Sequence, residues 1–157
     1  MAGLTAQWGK DVLHCPYCHG WEVRDQAIGV LATSPLGIHQ AQLFRQLSDD
    51  VTLFLHTAPV PTDEQWEELA AGQIPVVRGT VEQVEVADGR LTGVRLASGE
   101  VAPRDVLAVQ PTLRAKASFL TELGLAVTAQ EVAGLVYGDA LVVDAKGQTA
   151  VPRSTTI

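Results

Sequence analysis

Residues His14-Cys15-Pro16-Tyr17-Cys18-His19-Gly20 gather the most reactive side chains of this sequence. Cys15 and Cys18 are its only cysteines, and a histidine stands on either side of the pair. Two thiols at this spacing can close a small disulfide ring, so they can be oxidised and reduced together. The thiolate is the reactive form, and in such motifs a cysteine pKa often falls from about 8.5 to about 7 or below. A neighbouring imidazole titrates near neutrality and can take or give the proton that thiol chemistry needs.

Other readings share the spacing. Two buried, inert cysteines are the plainest, although Pro16 and Tyr17 between them and the flanking histidines speak against it. Cys15-x-x-Cys18-His19 is also the attachment pattern of c-type haem. That use needs export and a second axial ligand, and the only methionine is Met1. A structural zinc needs four ligands. His14, His19, His39 or His56 would have to complete the set, at a spacing that matches no finger or ribbon, and no metal site is expected. Cys-Pro-Tyr-Cys also occurs in glutaredoxin-like folds, which run a long helix after the motif. Gly20 and a turn at Arg24-Asp25 interrupt such a helix here.

The elements around the pair narrow the choice. Ala27 to Ala32 is a short apolar run that reads as a buried strand. Ser34 and Pro35 suit a helix start. Leu36, Leu43, Phe44 and Leu47 follow as the expected buried stripe, and Ser48-Asp49-Asp50 ends the helix. Val51 to Leu55 is a second strand. Strand, helix and strand in this order form a right-handed βαβ unit with parallel strands. Thr62-Asp63-Glu64-Gln65 has the capping-box pattern, and Gly72 closes the helix it opens. Beyond Pro75 the residues Val76–Gly79, Thr80–Val86, Arg90–Leu96 and Val101–Val109 read as short strands. Asp88-Gly89 and Ser98-Gly99 are hairpin turns between them. The expectation is an antiparallel β-meander beside the parallel unit. Residues 1–13 are mixed and short, with Trp8-Gly9-Lys10-Asp11 a loop leading into the cysteine pair, and Lys116–Leu123 reads as a short helix stopped at Gly124. Leu141–Asp144 and Thr149–Val151 flank a turn at Ala145-Lys146-Gly147.

Composition bounds the function. The 157 residues are 46% hydrophobic and 18% charged. A chain of this length can bury about 70% of its unfolded surface, so a packed core is expected. The 18 acidic and 11 basic residues leave a net charge of −7, with no basic cluster for nucleic acid. No apolar run approaches the roughly 20 residues of a membrane span. Met1 to Lys10 carries no apolar signal core. A cytoplasmic protein is expected, in which paired cysteines are more often catalytic or metal-binding than structural.

The stretch from His14 through Gly20 and on through Trp21-Glu22-Val23-Arg24-Asp25-Gln26 resembles the redox motif of low-molecular-weight thioredoxin reductases. The similarity is greatest to the flavoproteins of that family that include dithiol oxidases. It continues through Ile28 to Ala41, Gly93-Val94-Arg95-Leu96, and Gly147 to Pro152. The resemblance implies a Rossmann-like βαβ parallel sheet with an antiparallel meander, the three-layer ββα type of pyridine-nucleotide domain. It divides the chain into a redox-active segment, 1–25, a degenerate NAD(P)-binding-like domain, 26–112, and a partial return segment to an FAD domain, 113–157. It implies that Cys15 exchanges with a dithiol or disulfide substrate and that Cys18 faces the FAD ring. His19 stands where the family commonly has a proton-donating aspartate, and the dithiol-oxidase branch is similar in placing histidine there.

Two departures follow. The glycine or alanine positions of the dinucleotide turn fall at Ala32, Ser34 and Gly37, and only Gly37 fits the pattern. After the second strand the family carries basic residues for the 2′-phosphate of NADPH, whereas Leu55-His56-Thr57-Ala58-Pro59 has no lysine or arginine. NADPH is therefore not expected to bind. The main FAD fingerprint of the family precedes the redox motif, so the chain reads as the central portion of a flavoenzyme. The expected function is thiol-disulfide oxidoreduction between a substrate and FAD. The substrate would be a small dithiol or disulfide, or a thioredoxin-like protein, and a homodimer is possible for the family. The alternative is a non-catalytic Rossmann-like remnant that serves binding or assembly.

Overall fold

The computed structural model describes residues 1–132 and 135–150. It divides into two compact units, Met1–Pro111 and Thr112–Ile157. The first unit opens with a short helix α1 (Leu4–Gln7), a two-residue strand β1 (Val12–Leu13) and a one-turn helix α2 (Pro16–His19). It continues with β2 (Ile28–Leu31), α3 (Leu36–Arg45), β3 (Val51–Phe54), α4 (Asp63–Ala71) and β4 (Val76–Val77). Three antiparallel strands follow, β5 (Val81–Ala87), β6 (Arg90–Leu96) and β7 (Val101–Pro103), and then β8 (Val106–Val109).

A five-stranded parallel sheet in the order β1-β8-β2-β3-β4 organises this unit. Its central strands β2, β3 and β8 are buried along their whole length. Side chains alternate between the faces of a strand. Ile28, Val30, Leu53, Val106 and Ala108 therefore pack with Ile38, Ala41 and Phe44 of α3 and Leu69 of α4. Leu31, Phe54, Leu107 and Val109 pack instead with Val81, Val84, Leu91 and Val94 of the meander. The result is three layers, helices on one face of the parallel sheet and the meander on the other. Each fully buried side chain of this kind contributes about 1.5–3 kcal/mol.

Local chemistry sets the ends of the elements. The Thr62 hydroxyl accepts from the Gln65 N–H, and the Gln65 side chain accepts from the Thr62 N–H, which completes the expected capping box. Asp88 and Gly89 both take positive φ, 52° and 78°, as a tight hairpin turn requires. The α3 helix starts at Leu36, with Pro35 already in helical conformation.

Several expectations are corrected. The buried face of α3 is Gly37, Ile38, Gln40, Ala41 and Phe44, whereas Leu36, Leu43 and Leu47 are half-buried. The stripe is rotated because the strands β2 and β3 lie under Ile38 and Ala41. The meander contains only β5, β6 and β7. Val106–Val109 belongs to the interior of the parallel sheet, where a strand buried on both faces fits, and the half-buried Val76-Val77 pairs with β3 as its edge strand. Within residues 1–13, α1 and β1 stand on either side of the expected Trp8–Asp11 loop, and Leu13 pairs with Ala108.

The second unit holds a 3₁₀ helix (Ser118–Leu123) and a hairpin of β9 (Val127–Val132) and β10 (Leu135–Leu141). The expected short helix is thus 3₁₀, and Gly124 ends it at φ 72°. The β9–β10 hairpin was not anticipated, and Val142-Val143 lies beyond its last strand. The turn at 145–147 is present: Asp144 Oδ1 accepts from the Lys146 and Gln148 amides at 2.8 and 2.9 Å. Val151 and the Pro152–Ile157 tail lie outside the described residues.

Candidate functional site

The thiol pair sits just past the carboxyl end of β1. Cys15 is extended (φ −115°, ψ 118°) and serves as the N-cap residue of α2, and Pro16 opens the helical turn that follows. The His19 amide bonds to the Cys15 carbonyl at 3.2 Å, and the Gly20 amide to the Pro16 carbonyl at 2.8 Å. Positions three apart in such a turn share a face, so Cys18 comes over Cys15. The Cys18 thiol donates to Cys15 Sγ across 2.8 Å. Both cysteines are free, Cys15 half-buried and Cys18 exposed. Closing a bond of about 2.05 Å between them needs only a small movement.

The two thiols are unequal. Cys15 is held below the ordinary thiol value, chiefly by the hydrogen bond from Cys18 and further by the amides of Cys18 and Tyr17, while partial burial opposes the shift. Cys18 is pushed up, chiefly by its bond to Cys15, with desolvation and the Cys15 charge acting the same way. Cys15 is therefore the first thiolate to form as pH rises, and Cys18 retains its proton.

His19 is exposed, with Nδ1 3.9 Å from Glu22 Oε1. It lines a cavity of about 270 Å³ together with Gly9, Lys10, Leu13, Glu22 and Val23. The His14 ring lies 6.2 Å from that of Trp8. Tyr17 is 84% exposed, and Trp21 and Trp8 are exposed as well. Arg24 lies over the Trp21 ring at 4.3 Å. Exposed aromatic side chains thus stand close to the thiols in sequence, at positions 8, 17 and 21.

The exit of the redox loop is pinned to the end of α3. The Asp25 amide bonds to the Leu47 carbonyl at 3.0 Å, and the Ser48 hydroxyl donates to the Gln26 carbonyl at 2.6 Å. Gly20 has ordinary dihedrals (φ −67°, ψ −27°), so space rather than conformation demands a glycine there. A Cβ would lie 2.3 Å from the Pro16 oxygen and 2.4 Å from Leu47 Cδ1. Gly20→Ala is expected to cost about 1–3 kcal/mol by overpacking. Urea unfolding monitored by fluorescence checks this, and an unchanged midpoint would refute it.

The dinucleotide-type turn lies elsewhere along the same carboxyl edge. Ala32 is fully buried, and Ser34 is half-buried. Gly37 packs so closely on Ala32 that a Cβ there would meet the Ala32 Cβ at 2.4 Å. The third position thus keeps its part in helix–strand packing. At the other two positions alanine and serine stand where the dinucleotide pattern has glycine. Thr33 turns its hydroxyl to the Gln110 carbonyl at 2.6 Å. None of residues 32–35 takes positive φ. His56 (φ 46°) accepts from the Val81 amide at Nδ1, 3.1 Å away. Burial pushes its imidazole below the ordinary value, with the N-terminal ammonium acting the same way, so it is neutral at pH 7. These residues do not fit the pyrophosphate and 2′-phosphate of NADPH. They also offer FAD no glycine cradle.

Gln40 is a site residue the sequence reading passed over. It lies on the buried face of α3, and its amide donates to the carbonyls of His14 and Val109. A glutamine among Ile38, Ala41 and Phe44 is the signal, visible only once the helix face is known. Among the described residues no three His, Cys, Asp or Glu side chains form a metal-binding group. No helix there is long and apolar enough to cross a membrane.

No family model matches the chain. A thioredoxin reductase of Claviceps purpurea, tcpT, is 32% identical over 139 residues, 78% of this chain and 40% of that protein. The crystal structure of HlmI is 43% identical with a TM-score of 0.77, covering 96% of this chain and 44% of that one. An oxidoreductase from Agrobacterium tumefaciens is 32% identical, also at 0.77, covering 95% and 47%. The chain thus spans less than half the length of these relatives. The three layers, a parallel sheet between helices and an antiparallel meander, define the class as an α/β chain of the Rossmann type seen in thioredoxin reductases. Over the stretch it spans, the chain is thioredoxin-reductase-like, a family of flavin-dependent oxidoreductases.

Proposed function

We propose that this chain carries the thiol–disulfide exchange centre of a thioredoxin-reductase-like enzyme, with Cys15 as the interchange thiol. The observation that carries this reading is the pair itself: two free sulfurs 2.8 Å apart, with Cys15 the more acidic. Cys15 thiolate attacks one sulfur of a substrate disulfide, and the S–S bond breaks to leave a mixed disulfide and a substrate thiolate. Cys18 loses its proton and attacks Cys15 Sγ. The second substrate thiolate leaves as the Cys15–Cys18 bond forms. Two electrons have then passed to the substrate, which is reduced, and the protein pair is oxidised. Run backwards, the same steps oxidise a dithiol. His19, next to Cys18, takes and returns the proton.

The exposed face of Cys18 is the side offered to a flavin. FAD, held by polypeptide other than these residues, would supply or accept the electron pair that resets the protein thiols. The exposed Trp8, Tyr17 and Trp21, which flank or interrupt the pair in sequence, are consistent with a small dithiol or disulfide, or a thioredoxin-like protein, as the exchanging partner. The filled dinucleotide turn argues that NADPH does not dock on this chain. Taken by itself, that turn also suits a non-catalytic binding or assembly module, which would have no need of a reactive pair. A thiol titration separates the two readings. Mild oxidation is expected to remove two thiols per chain, and a dithiol reductant to restore both. Two thiols that stay free in oxidant would exclude the exchange reading.

A further inference from the structure

The β1–β8 ladder pairs Val12 with Leu107 and Leu13 with Ala108, and there it stops. The next pair in register is His14 and Val109, the last residue before Cys15 and the last of β8. Gln40 takes over at this point. Its Nε2 donates to both the His14 and the Val109 carbonyls, the latter at 3.3 Å. The side chain is 4% exposed. Its Oε1 is buried with no hydrogen-bond partner among the described residues. The fold thus tolerates an unpaired oxygen in order to place both amide hydrogens on these two carbonyls, because the flipped amide would set oxygen against oxygen.

We propose that Gln40 is the positioning residue of the redox pair, clamping the His14–Cys15 peptide to the end of β8 so that Cys15 Sγ stays in reach of Cys18. This rests on the exchange chemistry proposed above. Gln40 touches neither sulfur and acts through the backbone that carries Cys15. A fixed peptide plane keeps the two thiols at high effective concentration toward each other, which favours the closed disulfide.

Gln40→Met preserves length and volume but cannot donate. Gln40→Glu preserves shape and, as a carboxylate, presents oxygen to both carbonyls. The full chain of each is equilibrated in glutathione buffers of graded ratio, and the closed fraction is read by alkylation and mass. Either variant is expected to shift the dithiol/disulfide constant about tenfold toward the dithiol, which is about 30 mV. General loss of stability does not move that constant while the chain stays folded, as circular dichroism reports. A folded Gln40→Met chain with an unshifted constant overturns the proposal. Should Gln40→Met not fold, an unshifted Gln40→Glu does the same. A wild-type pair that never closes overturns the exchange reading instead, which keeps the two failures distinct.

Discussion

Cys15→Ser is expected to abolish the reversible two-thiol oxidation, and Cys18→Ser to leave a chain that traps its partner as a stable mixed disulfide. Both follow from the inequality of the sulfurs. Cys15 is the thiol that its neighbours help to ionise, so it makes the first attack. Cys18 holds its proton until it must displace the partner from Cys15. Serine at 15 removes the nucleophile, and one thiol cannot close a ring. Serine at 18 leaves the nucleophile but removes the resolving sulfur, so the adduct persists. Incubation with a disulfide such as oxidised glutathione, followed by intact mass, reads both results. Fast trapping in Cys15→Ser with none in Cys18→Ser would reverse the assigned roles. Alkylation should also respond to pH in a defined sense. Cys15 should react at lower pH than Cys18, because a lowered pKa populates the thiolate earlier as pH rises. Cys18→Ala removes the main donor to Cys15 and should move its profile upward. Below the pKa, each unit of that movement slows alkylation about tenfold.

Phe44→Ala is expected to be the most destabilising single change in the helical layer, at about 3–5 kcal/mol. Phe44 is fully buried among the side chains of the βαβ unit. Its removal leaves a cavity between α3 and the sheet, and close packing on both sides limits collapse into it. The damage should spread toward the thiols, because the end of α3 carries the Leu47 carbonyl and Ser48 hydroxyl that pin the redox loop. Urea denaturation measures the loss, and a change below about 1 kcal/mol would show that the layer repacks freely.

The approach of the two thiols was legible because it is local: their spacing and a helix-starting proline lie within four residues. The βαβ unit was legible for a similar reason, since apolar runs and the Thr62 capping box are short-range signals. What the sequence hid depends on pairing across long separations. Val106–Val109 reads as a continuation of the meander, yet it crosses back into the parallel sheet between β1 and β2. Nothing near Val12-Leu13 announces that it pairs with residues near 107. The rotated face of α3 hid Gln40 in turn, because helical periodicity admits neighbouring stripes and only the strands beneath select one. The dinucleotide turn was half legible. The missing glycines were plain, whereas the use of Thr33 to hold Gln110 came only with the fold.

The placement of β8 has a consequence for biosynthesis. The strand that seats the thiols leaves the ribosome roughly ninety residues after the thiols themselves, an interval of about 5–20 s at ordinary translation speeds. During that interval the nascent chain shows two accessible sulfurs in a local turn whose strand partner has not yet been made. Wrong cross-links are most readily made then, and a reducing compartment or an early chaperone would protect the chain until its last parallel strand arrives.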